Sequence, residues 1–241
     1  MLKKEILFEG NEKLIFATED PERVIIHYKD VAMAFSGIKR AVLRGKGVYA
    51  NRISAQLLQV LNDNGIPTHF VELTGEREQL CRKIEIIPIE FIVRNRIAGS
   101  LAVRLGVEDG HATGHVITEM RYNDDDLDDP FIHDDHALAL GLATEDELRR
   151  MHELAERANK LLCTLCAKAG MELVDMKLEF GRATDDGSII ISDEISPDTF
   201  RLWDAATHER LDKDRFRLDL GDVVASYRDI YERIAKVLEN K

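Results

Sequence analysis

Residues 173–204, LVDMKLEFGRATDDGSIIISDEISPDTFRLWD, contain the pattern that decides the fold. Apolar and charged residues alternate from position 174 to position 180, which is the period-two pattern of a half-buried strand. Asp175, Lys177 and Glu179 therefore share one face of a sheet. The DDG cluster at 185–187 predicts a turn, and the β-branched run after it predicts a second strand, so the segment is expected to form a hairpin.

This hairpin brings carboxylates together. If the turn centres on Asp186, Glu179 lies opposite Asp193. Opposed residues of an antiparallel pair have Cβ atoms within ~5.5 Å, and two carboxylates so placed repel each other unless a positive group lies between them. A divalent cation is the natural candidate, and a solvated hairpin face is the alternative. Asp198, Arg201 and the single tryptophan, Trp203, follow within residues 196–204. This density of charged and aromatic side chains favours a ligand site.

The composition is that of an ordinary globular protein, with 241 residues of which 44% are hydrophobic and 32% are charged. A net charge of −12 argues against non-specific binding to nucleic acid or to an anionic membrane. No apolar run approaches ~18 residues and no basic, apolar leader is recognisable, so we expect a cytoplasmic location and no membrane contact. Cys163 and Cys166 form a C-x-x-C within a helical pattern, which favours core packing over metal binding.

The N-terminal part reads as short strands near 6–8, 14–18 and 24–28, followed by a helix that stops at Gly65. The turn from Gly10 to Lys13 could fold over the phosphates of a nucleotide, although most single-glycine turns are only turns. The loop RGKG at 44–47 is basic in an otherwise acidic protein, and could hold an anionic ligand.

Residues 84–100, IEIIPIEFIVRNRIAGS, form a β-rich run interrupted by Pro88, which predicts an edge strand or a connector between two lobes. The run ends in Arg94, Arg96 and Ser100, where guanidinium forks and a hydroxyl suit a phosphate. A solvated loop is an equally good interpretation. Further along, Thr144 and Glu147 form a capping box, which predicts a long helix up to Gly170.

These motifs resemble the SAICAR synthetase (phosphoribosylaminoimidazole-succinocarboxamide synthase) family of purine biosynthesis. The resemblance covers nearly the whole chain, and its most specific segments are VRNRIAGSLAVRLG at 93–106, LVDMKLEFG at 173–181, DEISPDTFRLWD at 193–204 and DKDRFR at 212–217. It implies an α+β fold of two lobes, similar to ATP-grasp and kinase-like folds, with antiparallel sheets and flanking helices. A mainly β ATP-binding lobe would span 1–83, and a substrate- and metal-binding lobe would span 84–241.

The resemblance also implies an activity. In that family ATP activates the carboxylate of carboxyaminoimidazole ribonucleotide (CAIR) as an acyl phosphate, and the amine of L-aspartate displaces phosphate to form an amide. ATP and Mg²⁺ are the implied cofactors, and a homodimer is the implied assembly. This chemistry brings several anions together, so the protein must position them and neutralise their charge.

Residue roles follow from the same resemblance. Asp175 and Lys177 would line the reacting carboxylate, and Glu179 and Asp193 would hold Mg²⁺. Lys13 and Lys83 would bind ATP, and residues 85–89 would contact adenine. The ribonucleotide would be bound by Arg94, Ser100, Asp198 and Arg201. Aspartate would be bound by Ser36, Lys213 and Arg215.

The chain departs from the family pattern near the ATP-binding lobe. The turn that usually reads G-K-x-K is Gly10-Asn11-Glu12-Lys13, which loses one cation and adds an acid. Met33 and Ser36 stand where a hydroxyl residue and an Asp or Asn are usual, and Asn123 replaces a further lysine. Each lost charge-assisted hydrogen bond can weaken binding by ~1.5–3 kcal/mol.

Three interpretations therefore remain open. The first is the housekeeping ligase with tolerated substitutions, and the second is a divergent paralogue that uses another amine or carboxylate. The third is a weakly catalytic nucleotide-binding protein. The third is disfavoured because the like-charge cluster on the central hairpin is intact.

Overall fold

The computed structural model describes residues 1–35 and 37–240, with Asp125 described by its backbone alone. The expectation that Ser36 binds aspartate therefore falls outside the described residues. None of the described helices is long and apolar enough to cross a lipid bilayer.

The elements before Lys83 are short strands and one long helix. In chain order they are β1 (Ile6–Glu9), β2 (Lys13–Ala17), β3 (Arg23–Tyr28), β4 (Val31–Ala34), β5 (Lys39–Val42), α1 (Lys46–Asp63), β6 (Phe70–Gly75) and β7 (Glu78–Arg82). Five strands form an antiparallel sheet in the order β1-β2-β3-β7-β6, and β4 pairs with β5. The predicted N-terminal strands are confirmed. Helix α1 ends just before Gly65, whose φ of +70° is a left-handed conformation that favours glycine.

The elements after Lys83 build a larger sheet flanked by helices. In chain order they are β8 (Ile84–Ile97), α2 (Ser100–Leu105), β9 (His111–Tyr122), β10 (Phe131–Ile132), α3 (Asp134–Ala139), α4 (Glu145–Lys168), β11 (Met171–Ala183), β12 (Ile189–Ser192), β13 (Phe200–Asp204), α5 (Asp214–Arg217) and α6 (Val223–Glu239). The sheet order is β10-β9-β8-β11-β12, and β13 also pairs with β11. The expected α+β class with antiparallel sheets and flanking helices is confirmed.

Strand β11 is buried between its neighbours, and its alternation is the predicted one from Asp175 to Phe180, whereas the prediction for Val174 is wrong. Met176, Leu178 and Phe180 are each at most 1% exposed and belong to the main core, to which α1, α4 and α6 also contribute. A bulge between Leu173 and Asp175 gives Val174 a different environment, because it packs in a small cluster with Ala98 and Trp203. The charged residues Asp175, Lys177 and Glu179 lie on the opposite face of the strand.

The hairpin of β11 and β12 is confirmed, but its predicted register is wrong by one residue. Glu179 lies opposite Ser192 rather than Asp193. The reason is the turn, which centres between residues 185 and 186 because Ala183 N donates to Ser188 O. Strand β12 ends at Ser192, and Asp193 follows it in a left-handed conformation with φ +58°.

Strand β8 shows which of the two expectations for Pro88 applies. It is an inner strand that pairs with both β9 and β11, so the edge-strand expectation is wrong. A register shift opposite Glu179 and Phe180 accommodates Pro88, because the partner changes there from Glu90 to Ile87. The strand is a connector in that only Lys83 separates it from β7, the last strand of the first sheet along the chain.

Helix α4 begins with the predicted capping box. Thr144 Oγ1 accepts a hydrogen bond from Glu147 N at 3.3 Å, and Glu147 Oε2 accepts one from Thr144 N at 2.8 Å. Its cysteines face inward, since Cys166 is buried and Cys163 is half-buried. Both belong to the main core or pack against it, as the helical spacing predicted.

Candidate active site

The first part of the site is an aspartate held by two arginines. Asp175 on β11 lies opposite Arg94 of β8 and Arg201 of β13 in the register of the sheet. Asp175 Oδ2 is 3.0 Å from Arg94 Nη1 and 2.9 Å from Arg201 Nη1. Arg94 is 2% exposed and also donates from Nε to Glu119. Two fixed guanidinium groups therefore lie beside one carboxylate.

The second part is a lysine surrounded by carboxylates. Lys177 Nζ lies 2.8 Å from Glu179 Oε1 and 3.3 Å from Glu90 Oε2. Burial lowers the pKa of Lys177, but Glu179, Glu90 and Asp193 outweigh this effect and hold the pKa above its usual range. Lys177 is therefore a permanent cation between Glu179 of the hairpin and Glu90 of β8. In this structure it supplies the positive charge that two nearby carboxylates require.

These groups line one cavity of about 200 Å³. Six residues that the resemblance assigns to the ribonucleotide or the reacting carboxylate meet there: Arg94, Ser100, Asp175, Lys177, Asp198 and Arg201. Sequence reasoning did not single out Glu90, Arg121 or Arg217, which line the same cavity. Arg217 had a signal, because it closes the DKDRFR motif.

The third part lies at the turn between β1 and β2. Lys13 forms ion pairs with Asp193 and with Glu194 Oε1, the latter at 3.1 Å. Burial lowers the pKa of Lys13, but these carboxylates outweigh it, so the pKa is raised. The turn is thereby joined to the residues that follow β12. Glu194, which is 4% exposed, was not predicted as a site residue.

The fourth part, which we call the lysine–carboxylate ring, consists of Glu12, Lys46, Asp198 and Lys213. Lys46 Nζ lies 2.6 Å from Asp198 Oδ2 and 3.5 Å from Glu12 Oε1. Lys213 Nζ lies 2.8 Å from Glu12 Oε1 and 3.6 Å from Asp198 Oδ1. Tyr227 of α6 donates to Asp198 at 3.1 Å. Burial raises the pKa of Asp198, but Lys46 and Lys213 outweigh it and lower the pKa, so Asp198 stays ionised.

Two of the assigned residues lie apart from these contacts, and a third is not among the described residues. Lys83 is exposed between the two sheets. Arg215 points at the loop beside its own helix, where it donates to the carbonyl oxygens of residues 210, 220 and 221. Ser36 is outside the described residues. Their assignments to ATP and to aspartate stay predictions.

The residues assigned to Mg²⁺ have the right chemistry for it. Glu179 and Asp193 both raise the pKa of Lys177, so their carboxylates lie near the same ammonium group. Carboxylate oxygens are the ligands that Mg²⁺ prefers. Ser192 Oγ, opposite Glu179, is buried without a hydrogen-bond partner among the described residues. An unpaired oxygen beside two carboxylates fits a hard cation. We take the donor set as compatible with Mg²⁺.

Known structures resemble this one closely. The crystal structure of phosphoribosylaminoimidazole-succinocarboxamide synthase from Ehrlichia chaffeensis is 43% identical, has a TM-score of 0.94, and covers 96% of this chain and 98% of that chain. A SAICAR synthetase in complex with ADP is 42% identical, has a TM-score of 0.91, and covers 95% of this chain and 97% of that chain. With the site described above, these structures define the class of protein as an ATP-dependent carboxylate–amine ligase.

The chain belongs to the SAICAR synthetase family, whose model matches residues 6–234. A curated phosphoribosylaminoimidazole-succinocarboxamide synthase from Clostridium botulinum is 48% identical over 236 residues, which are 98% of this chain and 100% of that protein. The family resemblance drawn from the motifs is therefore confirmed, and with it the α+β fold of antiparallel sheets with flanking helices and the ligase class.

Proposed function

We propose that this chain joins CAIR to L-aspartate in an ATP-dependent reaction of de novo purine biosynthesis, giving SAICAR, ADP and phosphate. The observation that carries the proposal is the shared cavity, in which four arginines, a serine, two aspartates and Lys177 meet. A ribonucleotide with a carboxylate needs such a mixture of fixed cations and hydrogen-bonding groups. Family membership and the ADP-bound relative support the nucleotide requirement.

The ribonucleotide 5′-phosphate would bind Arg94, Ser100 and Arg201. Asp175 holds both guanidinium groups in place, so they are oriented before the phosphate arrives. Such preorganisation reduces the entropy lost on binding. The additional guanidinium of Arg217 at the cavity increases the positive charge available to the phosphate.

Lys177 would neutralise the reacting carboxylate of CAIR. One carboxylate oxygen takes the γ-phosphoryl group of ATP, and ADP leaves. The amine nitrogen of aspartate then attacks the acyl carbon, the bond to the phosphate oxygen breaks, and one proton is released. A cation that stays charged throughout stabilises the negative charge of both steps, and the raised pKa of Lys177 provides such a cation.

The nucleotide would lie over the turn that carries Lys13, with Lys83 nearby and residues 85–89 against adenine. Glu179 and Asp193 would hold Mg²⁺, which neutralises phosphate charge when bound. Lys13 is already paired with Asp193 and Glu194, so these carboxylates orient its ammonium group.

Aspartate would approach Lys213, with Ser36 and Arg215 as further predicted contacts. Asp198 would orient the imidazole ring or its amine, because Lys46 and Tyr227 fix its carboxylate. On the family resemblance we also propose a homodimer and a cytoplasmic location.

The test replaces Lys177 by methionine, which keeps its length and removes its charge. We expect CAIR to bind about tenfold more weakly in calorimetry, because one charge-assisted contact is lost, while kcat for SAICAR formation falls by about 10²–10³. Lys168→Met, at the exposed end of α4, is the matched control and should retain kcat. Equal kcat values for Lys177→Met and the control would refute the assigned role.

A further inference from the structure

Glu12 and Asp198 hold the same two lysines from opposite sides of the lysine–carboxylate ring, but the two acids differ in how firmly they are fixed. Asp198 has a side chain that is 2% exposed and accepts a hydrogen bond from Tyr227. The side chain of Glu12 is 19% exposed and lies on the turn between β1 and β2. Besides the lysines, the Glu12 carboxylate accepts a hydrogen bond only from Met33 N among the described residues, at 3.2 Å.

Among the described residues, the charged side chains around this ring include no surplus of cations. Three ammonium groups, those of Lys13, Lys46 and Lys213, contact four carboxylates, those of Glu12, Asp193, Glu194 and Asp198. Without Glu12 the numbers of cations and carboxylates are equal. A dicarboxylate substrate that approaches Lys213 therefore meets an ammonium group already bound to an acid of the protein itself.

We infer that Glu12 is a specificity-determining residue that competes with a carboxylate of the amine substrate for Lys213. The inference rests on the proposed function, in which Lys213 faces aspartate. Glu12 occupies Lys213 as a substrate carboxylate would, so the substrate must displace it or share the lysine with it. The consequence is weaker binding of dicarboxylate amines than the lysines alone would give.

The experiment measures SAICAR formation by the full chain and by Glu12→Gln, with aspartate as the varied substrate. The amide keeps the shape of the side chain and removes its charge. We expect the KM for aspartate to fall about five- to tenfold, with the effect on KM rather than on kcat. Succinate, which lacks the amine, should inhibit the variant competitively with a Ki lowered by a similar factor.

Glu9→Gln is the matched control, because Glu9 ends β1 three residues earlier and, among the described residues, pairs with Lys29 at the surface. Its KM for aspartate should equal that of the unmodified chain. An unchanged KM and Ki in Glu12→Gln would overturn the inference, as would a fall in kcat alone, which would mean that Glu12 positions Asp198.

Two further checks keep the outcome decisive. Thermal unfolding shows whether Glu12→Gln is folded, and Glu12→Ala repeats the succinate measurement if it is not. If the unmodified chain makes no SAICAR, the proposed function fails and this inference falls with it. If the chain does make SAICAR but the variants match it, only the inference is wrong.

Discussion

Lys46 Nζ and Asp198 Oδ2 lie 2.6 Å apart, and both side chains are only 2% exposed. A lysine in such a position has given up its hydration and depends on its partners. The carbonyl oxygen of Val31 accepts a further hydrogen bond from it at 2.9 Å. This ion pair joins the start of α1 to the loop before β13, and so connects the elements that surround the site.

Removal of Lys46 should therefore destabilise the fold. Lys46→Met leaves Asp198 buried with its closest cation lost, and we expect the free energy of unfolding in urea to fall by about 3–5 kcal/mol. Lys29→Met, which breaks a surface pair with Glu9, should cost less than about 1 kcal/mol. Asp198→Asn added to Lys46→Met should recover part of the loss, and strictly additive losses would contradict a direct pair.

Removal of Glu179 should abolish Mg²⁺-dependent turnover without unfolding the protein. The carboxylate lies on the charged face of β11 and contacts Lys177 rather than the core. Glu179→Ala is measured by product formation over a range of Mg²⁺ concentrations, together with thermal unfolding. Glu172→Ala, on the same strand, removes a surface pair with Arg96 and should keep activity. Normal activity in Glu179→Ala would exclude the proposed metal site.

Restoration of a cation at position 11 should improve nucleotide binding. Asn11 is exposed on the turn that would cover the phosphates. We expect Asn11→Lys to lower the KM for ATP about tenfold, which corresponds to ~1.4 kcal/mol. Asn64→Lys adds the same charge at the end of α1 and should leave the KM for ATP unchanged. An unchanged KM for ATP in Asn11→Lys would show that another residue already supplies the charge.

Glu147 should contribute stability that disappears in acid. Its hydrogen bond with Arg182 lowers its pKa from 4.5 to about 2. Because the folded protein binds this proton more weakly than the unfolded chain does, the contribution is complete above pH 4.5 and is lost as the pH falls toward about 2. Glu147→Gln should therefore be less stable at pH 7 by about 1 kcal/mol, with a difference that shrinks below pH 4.5.

Urea unfolding at several pH values measures this difference. Glu145→Gln removes an exposed charge from the same helical turn and serves as the control. A difference between Glu147→Gln and the unmodified chain that stays constant from pH 7 to pH 3 would contradict the assignment.

Local patterns allowed much of the fold to be predicted from the sequence. The alternation of β11 and the Thr144 capping box depend on neighbours a few residues away, and both are confirmed. The pairing of Glu179 was wrong by one residue because it depends on where the turn closes, which the bond between Ala183 and Ser188 decides. Such a backbone contact has no distinct signature in the letters DDG.

Residues of the candidate site could be predicted only where they lie in a sequence motif of the family. Arg94, Asp175 and Arg201 lie within motifs of the family and meet in one cavity. In the lysine–carboxylate ring, Asp198 and Lys213 lie in family motifs and were predicted as site residues, whereas the contacts of Glu12 and Lys46 with them could not be predicted, because they join distant segments of the chain. For Lys46 the sequence indicated only a basic loop at 44–47. For Glu12 it indicated only an acid that is unusual at this position in the family.

The measurement that tests the central claim most directly is product formation by the purified protein with Mg-ATP, CAIR and L-aspartate, with ADP and SAICAR separated by chromatography. We predict equal amounts of ADP and SAICAR, with kcat at or above ~1 s⁻¹. Release of ADP without SAICAR would contradict the assigned amine substrate and favour a ligase that uses another amine. Formation of neither product would contradict the ligase assignment itself.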